Sequence, residues 1–329
     1  MRSPFIRLGL AYVLTVLAAC AGREYVADEN GVIPLVILPD TQFYAQKHPD
    51  IFHAQTRWIA EQRDALDDPF VMHLGDIVQN PAAGEEWAVA SSAFARLEAA
   101  GVAYSLLPGN HDVLEPGQSE QARDVSAEHF PQVFSPARAS RQSTWLGRSP
   151  GGYSEAHLIR RGTHHLLVLA IGWNPSAETL AWAQRVLDAH PQTPTLLSAH
   201  ALVDAIDKPA ELSVFGQAIW QALIAPNPQV VLAIGGHHIG DAVLEATNAQ
   251  GQSVPLLVVD YQHLEQGGGG YLQVWALDLE AGLLQTRAYS PWADAHPGAG
   301  LALTPPGLPA SRSIAIRRAC TLRSEGCRH

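Results

Sequence analysis

Apolar, β-branched runs alternate with stretches of helical spacing from about residue 32 to 290. The runs VIPLVILP, PFVMHLG, VAYSLLPG, HLLVLAIG, TPTLLSA, QVVLAIGG, VPLLVVDY, YLQVWALDL and LLQTRAYS are each short and bounded by turn residues, which predicts a strand at each. Between the early runs, Ile51/Phe52, Trp58/Ile59 and Ala65/Leu66 recur at seven. Trp87, Ala90, Phe94 and Leu97 recur at three and four, and Leu180, Ala183 and Leu187 do likewise. Such spacing puts each set on one face of a helix, so these aromatic stripes are core and not binding surface. Strands alternate with helices at first and stand alone from about residue 229. That order predicts a mixed α/β domain over residues 33–290, with a parallel-rich sheet extended and faced by antiparallel hairpins and flanked by helices. The stretch SPWADAHPGAGLALTPPGLPASRS is too rich in Pro, Gly and Ala to sustain regular structure, so residues 291–329 read as an appendage ending in Arg317, Arg318, Arg323 and Arg328.

Composition narrows the class. With 329 residues, 47% hydrophobic and 16% charged, the chain can bury a substantial core. Its formal charge of -11 argues against a nucleic-acid backbone as the main partner, which also disfavours a nuclease. Arg2 and Arg7 precede an apolar run from Leu8 that is too short to span a bilayer, the pattern of a secretion signal over residues 1–20. Its ending, Leu17-Ala18-Ala19-Cys20, resembles the bacterial lipobox, in which the cysteine is lipidated. That resemblance implies a lipid-anchored protein of the bacterial cell envelope, facing the periplasm, and with Ala21 following Cys20 it favours the outer membrane. In such an oxidising compartment Cys320 and Cys327 are expected to pair.

Ligands gather at the carboxyl ends of strands that feed helices, so the polar residues after each run share one neighbourhood. After VIPLVILP comes Asp40-Thr41-Gln42, after PFVMHL comes Gly75-Asp76, and after VAYSLLP comes Gly109-Asn110-His111-Asp112. After TPTLLSA comes His200, and after QVVLAIG comes Gly236-His237-His238. Any one of these has a bland reading as a cap, a turn or a hydrogen-bonded core histidine. Together they make a set of oxygen and nitrogen ligands suited to one or two divalent ions such as Mn, Zn, Fe or Mg. Two such ions polarise a phosphoryl oxygen and generate a hydroxide for in-line attack.

The order of these motifs resembles the calcineurin-like metallophosphoesterases, whose pattern is D-x-H, GD, GNH[DE], a lone H and GHxH; DTQ in place of D-x-H, with DYQ, GGGGYL and YSPW later, is similar to a secreted bacterial branch. The resemblance covers about residues 33–290 and implies a four-layer αββα sandwich that hydrolyses phosphate esters. It also implies roles for single residues. Asp40 would sit on the first metal, Asp76 would bridge both, and Asn110, His200 and His237 would hold the second. His111 would bind the phosphate or protonate the leaving oxygen, with Asp112 orienting its ring.

Two positions depart from the pattern together. Gln42 replaces the histidine of D-x-H and Ile239 replaces the last histidine of GHxH, so both imidazoles of the first metal are absent. A weakened first site follows, held by Asp40, Asp76, Gln42 and water, with His238, Asp241 and His263 as candidate replacements. The same double loss supports an alternative: an envelope binding or scaffolding module that keeps one metal without turnover. His73 reads as a buried histidine donating to a neighbour, His157, His164 and His165 as surface, and QGGGGY as a tight turn. Trp173 and Asn174 follow HLLVLAIG and, with Tyr44, are candidates for the substrate pocket. The partner expected is a phosphorylated small molecule, or a lipid or cell-wall precursor.

Overall fold

Strand pairing divides the protein into two large sheets. A computed structural model describes residues 31–318; the leader with Cys20, and both Cys320 and Cys327, lie outside the described residues. In chain order the strands are β1 (Val32–Leu38), β2 (Phe70–His73), β3 (Tyr104–Ser105), β4 (Trp145–Arg148), β5 (Glu155–Arg161), β6 (His164–Ile171), β7 (Thr195–Ala199) and β8 (Val203–Asp204). They continue as β9 (Glu211–Leu212), β10 (Val230–Gly235), β11 (Gly240–Thr247), β12 (Ser253–Asp260), β13 (Leu272–Asp278), β14 (Leu283–Tyr289) and β15 (Ser311–Ala315). The first sheet runs β15-β14-β13-β1-β2-β3 and the second β11-β12-β10-β7-β6-β5-β4. β1, β2 and β3 are parallel, as are β12, β10, β7 and β6. Each block of parallel strands therefore brings its carboxyl ends to one edge of its sheet.

The two-residue period of a strand decides the layers. From β1, Ile33, Leu35 and Ile37 join Leu166, Val168, Leu232, Ile234 and Leu257 of the second sheet in one core. Val36 and Leu38, on the opposite face, pack with Phe52, Ile59, Trp87, Phe94 and Leu97 from the helices Pro49–Glu61 and Gly84–Ala99. The outer face of the second sheet, with Leu167, Leu169, Leu197 and Val258, is covered by Ala183 and Leu187 of the helix Ala177–Ala189, together with Ile219 and Leu223. The result is helix, sheet, sheet, helix.

Several strands were not readable as apolar runs, for identifiable reasons. β5 carries Glu155 and His157, both buried, on its inward side. His157 lies 2.9 Å from Thr144 Oγ1, and His164 is buried beside Glu280, so neither is a surface residue; His165 alone of the three is exposed. Glu155 accepts from Leu106 N at 2.7 Å and pairs with Arg148 at 2.5 Å. Burial by itself would raise its pKa, but the Arg148 guanidinium and His157 hold it down to about 2, against an ordinary value of 4.5. A carboxylate with a depressed pKa in the folded state stabilises above its ordinary value, and that stabilisation is lost as pH falls from 4.5 towards 2. Glu155→Gln is therefore expected to melt several degrees lower than wild type at pH 6, with the gap closing across that window in thermal scans. A gap that is constant with pH would contradict the assignment.

The segment after residue 290 is more than an appendage. Ser290 caps a short helix, Pro291–Ala295, and β15 pairs antiparallel with β14 from Leu283↔Ala315 to Arg287↔Ser311. Short polar alternation around one inward residue, Ile314, is all an edge strand needs, which is why a composition argument overlooked it. Arg312 of β15 then reaches across to the edge strand of the other sheet. Its Nε lies 2.9 Å from Asp241 Oδ1 and its Nη2 donates to the Asp241 carbonyl at 2.6 Å. Removing Arg312 leaves the Asp241 carboxylate buried without its cation, so Arg312→Ala should cost about 2 kcal/mol of unfolding free energy, read by urea titration. A change within error would show that Tyr261 and Gln273, which also donate to Asp241, suffice.

Candidate metal centre

The strand-end loops meet at one edge of the sandwich. Asp40 follows β1, Asp76 follows β2, Asn110 begins the turn after β3, His200 follows β7 and His237 follows β10. His200 Nδ1 lies 2.8 Å from the Leu74 carbonyl, which can only accept, so that nitrogen carries the proton and Nε2 is the bare one. Nε2 is 3.2 Å from Asp76 Oδ2, 3.2 Å from Asn110 Oδ1 and 3.2 Å from His237 Nδ1. Ligand atoms of Asp76, His200 and His237 all lie within 4.8 Å of one another. Separations near 3 Å between donor atoms are what ligand bonds of about 2.1 Å to a shared ion produce. These four atoms are all of the kinds that bind a divalent cation. Without an ion His200 answers with a proton: burial opposes it, but the Asp76 carboxylate raises the pKa of His200 above its ordinary value.

Backbone geometry explains why each motif carries glycine. Asp76 and His237 both adopt left-handed φ, 51° and 64°, a conformation uncommon for residues other than glycine and often retained at functional sites. A Cβ on Gly109 would strike Asp76 and the His200 ring, and one on Gly236 would strike the Asp40 carboxylate. The loops can close around the ligands only because those two positions lack side chains.

A second layer holds these loops. His73 accepts from Gly75 N–H at Nδ1, so its Nε2 carries the proton and donates to Thr41 Oγ1 at 2.9 Å, while the Thr41 hydroxyl donates to the Ile77 carbonyl. Burial lowers the His73 pKa to about 3 and keeps the ring neutral. The chain of bonds fastens the loop of Asp40 to the loop of Asp76. Asp112 fastens Asp76's loop to Asn110's: its carboxylate accepts from Ile77 N, Val78 N and Gly109 N, all near 2.8–2.9 Å at the shorter contacts. It therefore does not orient the His111 ring, because its oxygens are committed to backbone amides. The ring is oriented by the Gln79 carbonyl, 3.0 Å from His111 Nδ1. His111 N in turn donates to Asp76 Oδ1 at 2.9 Å.

Other candidates fall elsewhere. Tyr44 is buried in the core and its hydroxyl accepts from Gly270 N, holding the glycine turn, so it lines no pocket. Asp241 is committed to Arg312, Tyr261 and Gln273 on the side of its sheet. His238 turns to Asp204, 3.6 Å away, because its neighbour His237 uses the inward direction, and His263 is exposed on the loop beyond β12. Trp173 does reach the centre: its ring lies 5.8 Å from that of His200, 5.6 Å from that of His237 and 4.3 Å from that of Phe215. Asn174, with φ of 48°, donates to the Gln118 carbonyl and lines one cavity with Trp173, His200 and Phe215.

Two residues were missed. Asp260, the last residue of β12, is buried, and Gln262 follows it. Gln262 Nε2 lies 2.7 Å from Asp260 Oδ2 and 3.5 Å from Asp40 Oδ2, and its Oε1 accepts from Gln42 Nε2 at 2.9 Å. The rule that found the others would have found Asp260, since VPLLVVDY also ends on a carboxylate. Burial and mutual repulsion push Asp40 well up, Asp112 up to about 7 and Asp260 up to about 6. Among the described residues no lysine or arginine pairs with Asp40, Asp76, Asp112 or Asp260. The donor set of carboxylate, amide and imidazole groups fits divalent cations.

A two-sheet sandwich with metal-capable residues at the ends of its parallel strands defines a metallohydrolase-type centre. The chain belongs to the calcineurin-like phosphoesterase family, whose sequence model matches residues 33–240. Phosphate-ester hydrolysis by metal-dependent chemistry is the activity of that class. The chain is 29% identical over 276 residues to the uncharacterized protein YvnB of Bacillus subtilis (strain 168), covering 82% of this chain but 21% of that relative's length. A dimetal phosphatase from Danio rerio shares the fold with a TM-score of 0.51 at 14% identity, covering 86% of this chain and 98% of its own. GAP50, described as the anchor in the inner membrane complex of Plasmodium, aligns with a TM-score of 0.53 at 10% identity, over 88% of this chain and 90% of its own.

Proposed function

We propose that the protein hydrolyses a phosphate mono- or diester at the strand-end cluster, with one or two divalent ions (Mn, Zn, Fe or Mg) held by Asp40, Gln42, Asp76, Asn110, His200 and His237. One observation carries the reading: His200 Nε2, its partner nitrogen committed to Leu74, stands 3.2 Å from each of three further metal-capable atoms, Asp76 Oδ2, Asn110 Oδ1 and His237 Nδ1. Bound divalent ions would polarise the phosphoryl oxygen and lower the pKa of water at the site. The chain's own residues do the rest. Asp76 faces both the nitrogen-bearing cluster and the His111 loop, and so sets the distance between attacking and leaving sides. With Nδ1 donating to the Gln79 carbonyl, His111 leaves Nε2 free of that bond, and in the doubly protonated ring that nitrogen would give its proton to the departing alcohol. Trp173 and Phe215 wall the centre with apolar surface, which suits a substrate whose alcohol part is apolar or aromatic, such as a small phosphorylated metabolite or a lipid or cell-wall precursor.

The test is hydrolysis of p-nitrophenyl phosphate and bis-p-nitrophenyl phosphate by purified protein with added Mn, Zn or Mg. Turnover that disappears in His200→Ala supports the proposal, and no turnover with any of the metals overturns it. Envelope location is part of the same proposal: residues 1–20 act as a lipoprotein signal, Cys20 is acylated, and the domain faces the periplasm from the membrane. Among the described residues no helix is long and apolar enough to cross a membrane. Labelled palmitate incorporated by wild type and lost in Cys20→Ser tests it.

A second reading rests on Gln42 and Ile239, which stand where the family carries imidazoles, Ile239 being exposed. A protein so altered would serve as a metal-holding scaffold; GAP50, which shares the fold, is the anchor in the inner membrane complex of Plasmodium. Full metal retention without turnover would favour it.

A further inference from the structure

Where both family imidazoles are lost, the structure offers a different set of donors. Asp260 ends β12 beside β10, on the same sheet edge as His237. Its Oδ2 and Asp40 Oδ2 are touched by one amide nitrogen, Gln262 Nε2. Asp40 also accepts from His237 N at 3.1 Å, which turns the carboxylate towards that edge. An acidic pair alone would be weak ground. A separate observation points to a ligand: Gln42 Oε1 is buried, its residue only 2% exposed, and has no hydrogen-bond partner, although its own Nε2 is bonded to the Gln262 amide that touches both carboxylates. An unsatisfied buried carbonyl oxygen costs free energy unless something positive meets it.

We propose that Asp260 and Gln42 replace the two missing histidines, so that the first cation site is rebuilt from oxygen donors (Asp40, Gln42, Asp76 and Asp260) and takes a hard ion such as Mn2+ or Mg2+, while His200 and His237 keep the second site for a softer one. The inference rests on the phosphoesterase reading and deepens it. Ligand chemistry gives its direction: carboxylate and amide oxygens suit Mg2+ and Mn2+, and imidazole suits Zn2+. It also changes the meaning of the departures at positions 42 and 239, since the site is altered in metal preference and not abolished.

Full-length protein stripped of metal is loaded with one equivalent of Zn2+ and then titrated with Mn2+, following free Mn2+ by its EPR signal. Wild type is expected to retain the Zn2+ and take up one Mn2+. Asp260→Asn should bind that Mn2+ about a hundredfold more weakly, the upper end of what losing even an outer partner of a metal site costs. Gln42→Leu, which removes the orphaned oxygen without touching a charge, should weaken Mn2+ binding about tenfold on the same scale and decides the matter if Asp260→Asn does not fold. Wild-type Mn2+ affinity in the folded variants overturns the inference, as does a wild type that takes up no second ion. Loss of the phosphoesterase reading looks different: Zn2+ would then be retained equally by His237→Ala, or not held by wild type at all.

Discussion

Replacing Asp76 with Asn is expected to lower kcat/KM for a phosphate ester about a thousandfold, or about 4 kcal/mol of transition-state stabilisation. Asp76 is the one carboxylate that touches both halves of the centre, with Oδ2 3.2 Å from His200 Nε2 and Oδ1 accepting from His111 N at 2.9 Å. Asparagine preserves the shape and tolerates the left-handed φ of 51° at that position, so the backbone has no reason to move. It also removes the carboxylate that, against the cost of burial, His200 holds ionised in the fold, the pairing that lowers the Asp76 pKa. The metal-free variant should therefore melt somewhat below the wild-type temperature at neutral pH, while still folded at the assay temperature. A collapse of activity in protein that remains folded separates a role in chemistry from a role in folding. Steady-state kinetics with the added metal and a melt of the stripped protein read both sides. Activity within tenfold of wild type would remove Asp76 from the centre of the mechanism.

Gly109→Ala should damage both the fold and the metal centre with a single methyl group. The φ at Gly109 is -89°, so the substitution is not a matter of backbone freedom. The added Cβ would meet the Asp76 carboxylate, lie 2.5 Å from Asp76 N and 2.6 Å from His200 Nε2. None of these can retreat freely. Asp76 N is backbone, and His200 is held from behind by the Leu74 carbonyl at 2.8 Å. Overpacking of this kind costs about 1–3 kcal/mol in a well-packed interior. Here it would also spread the ligand atoms, and a metal site displaced by about 1 Å loses much of its affinity and activity. Reduced stability by urea titration and loss of zinc retention should appear together. A variant that keeps its zinc would show that the GNHD turn moves more easily than its hydrogen bonds imply.

The residues most legible before any coordinates were those whose role depends on local position. A carboxylate or imidazole directly after an apolar run reaches the sheet edge whatever the rest of the chain does, which places Asp40, Asp76, Asn110, His200 and His237 at one edge. The helices Pro49–Glu61, Gly84–Ala99 and Ala177–Ala189 were equally plain, because a buried face repeats with the helical period. β5 and β15 were not. Their inward positions hold Glu155, His157, Ile159 and Ile314, and a buried charge looks polar in a sequence whether or not Arg148 lies opposite to neutralise it.

Contacts between remote segments were invisible for a related reason. Nothing near position 112 says that its carboxylate is used by the amides of residues 77, 78 and 109, or that position 241 will meet an arginine 71 residues later. Asp260 shows both sides. Its place at a strand end was written in the chain, but its partnership with Asp40 and Gln262 depends on β12 lying parallel beside β10. Periodicity and strand-end chemistry are local properties, so the chain alone settles which elements form and which residues face the edge. Which of those residues touch, and where each carboxylate finds its donor, follows from packing that joins segments far apart in the chain, and only the folded protein decides it.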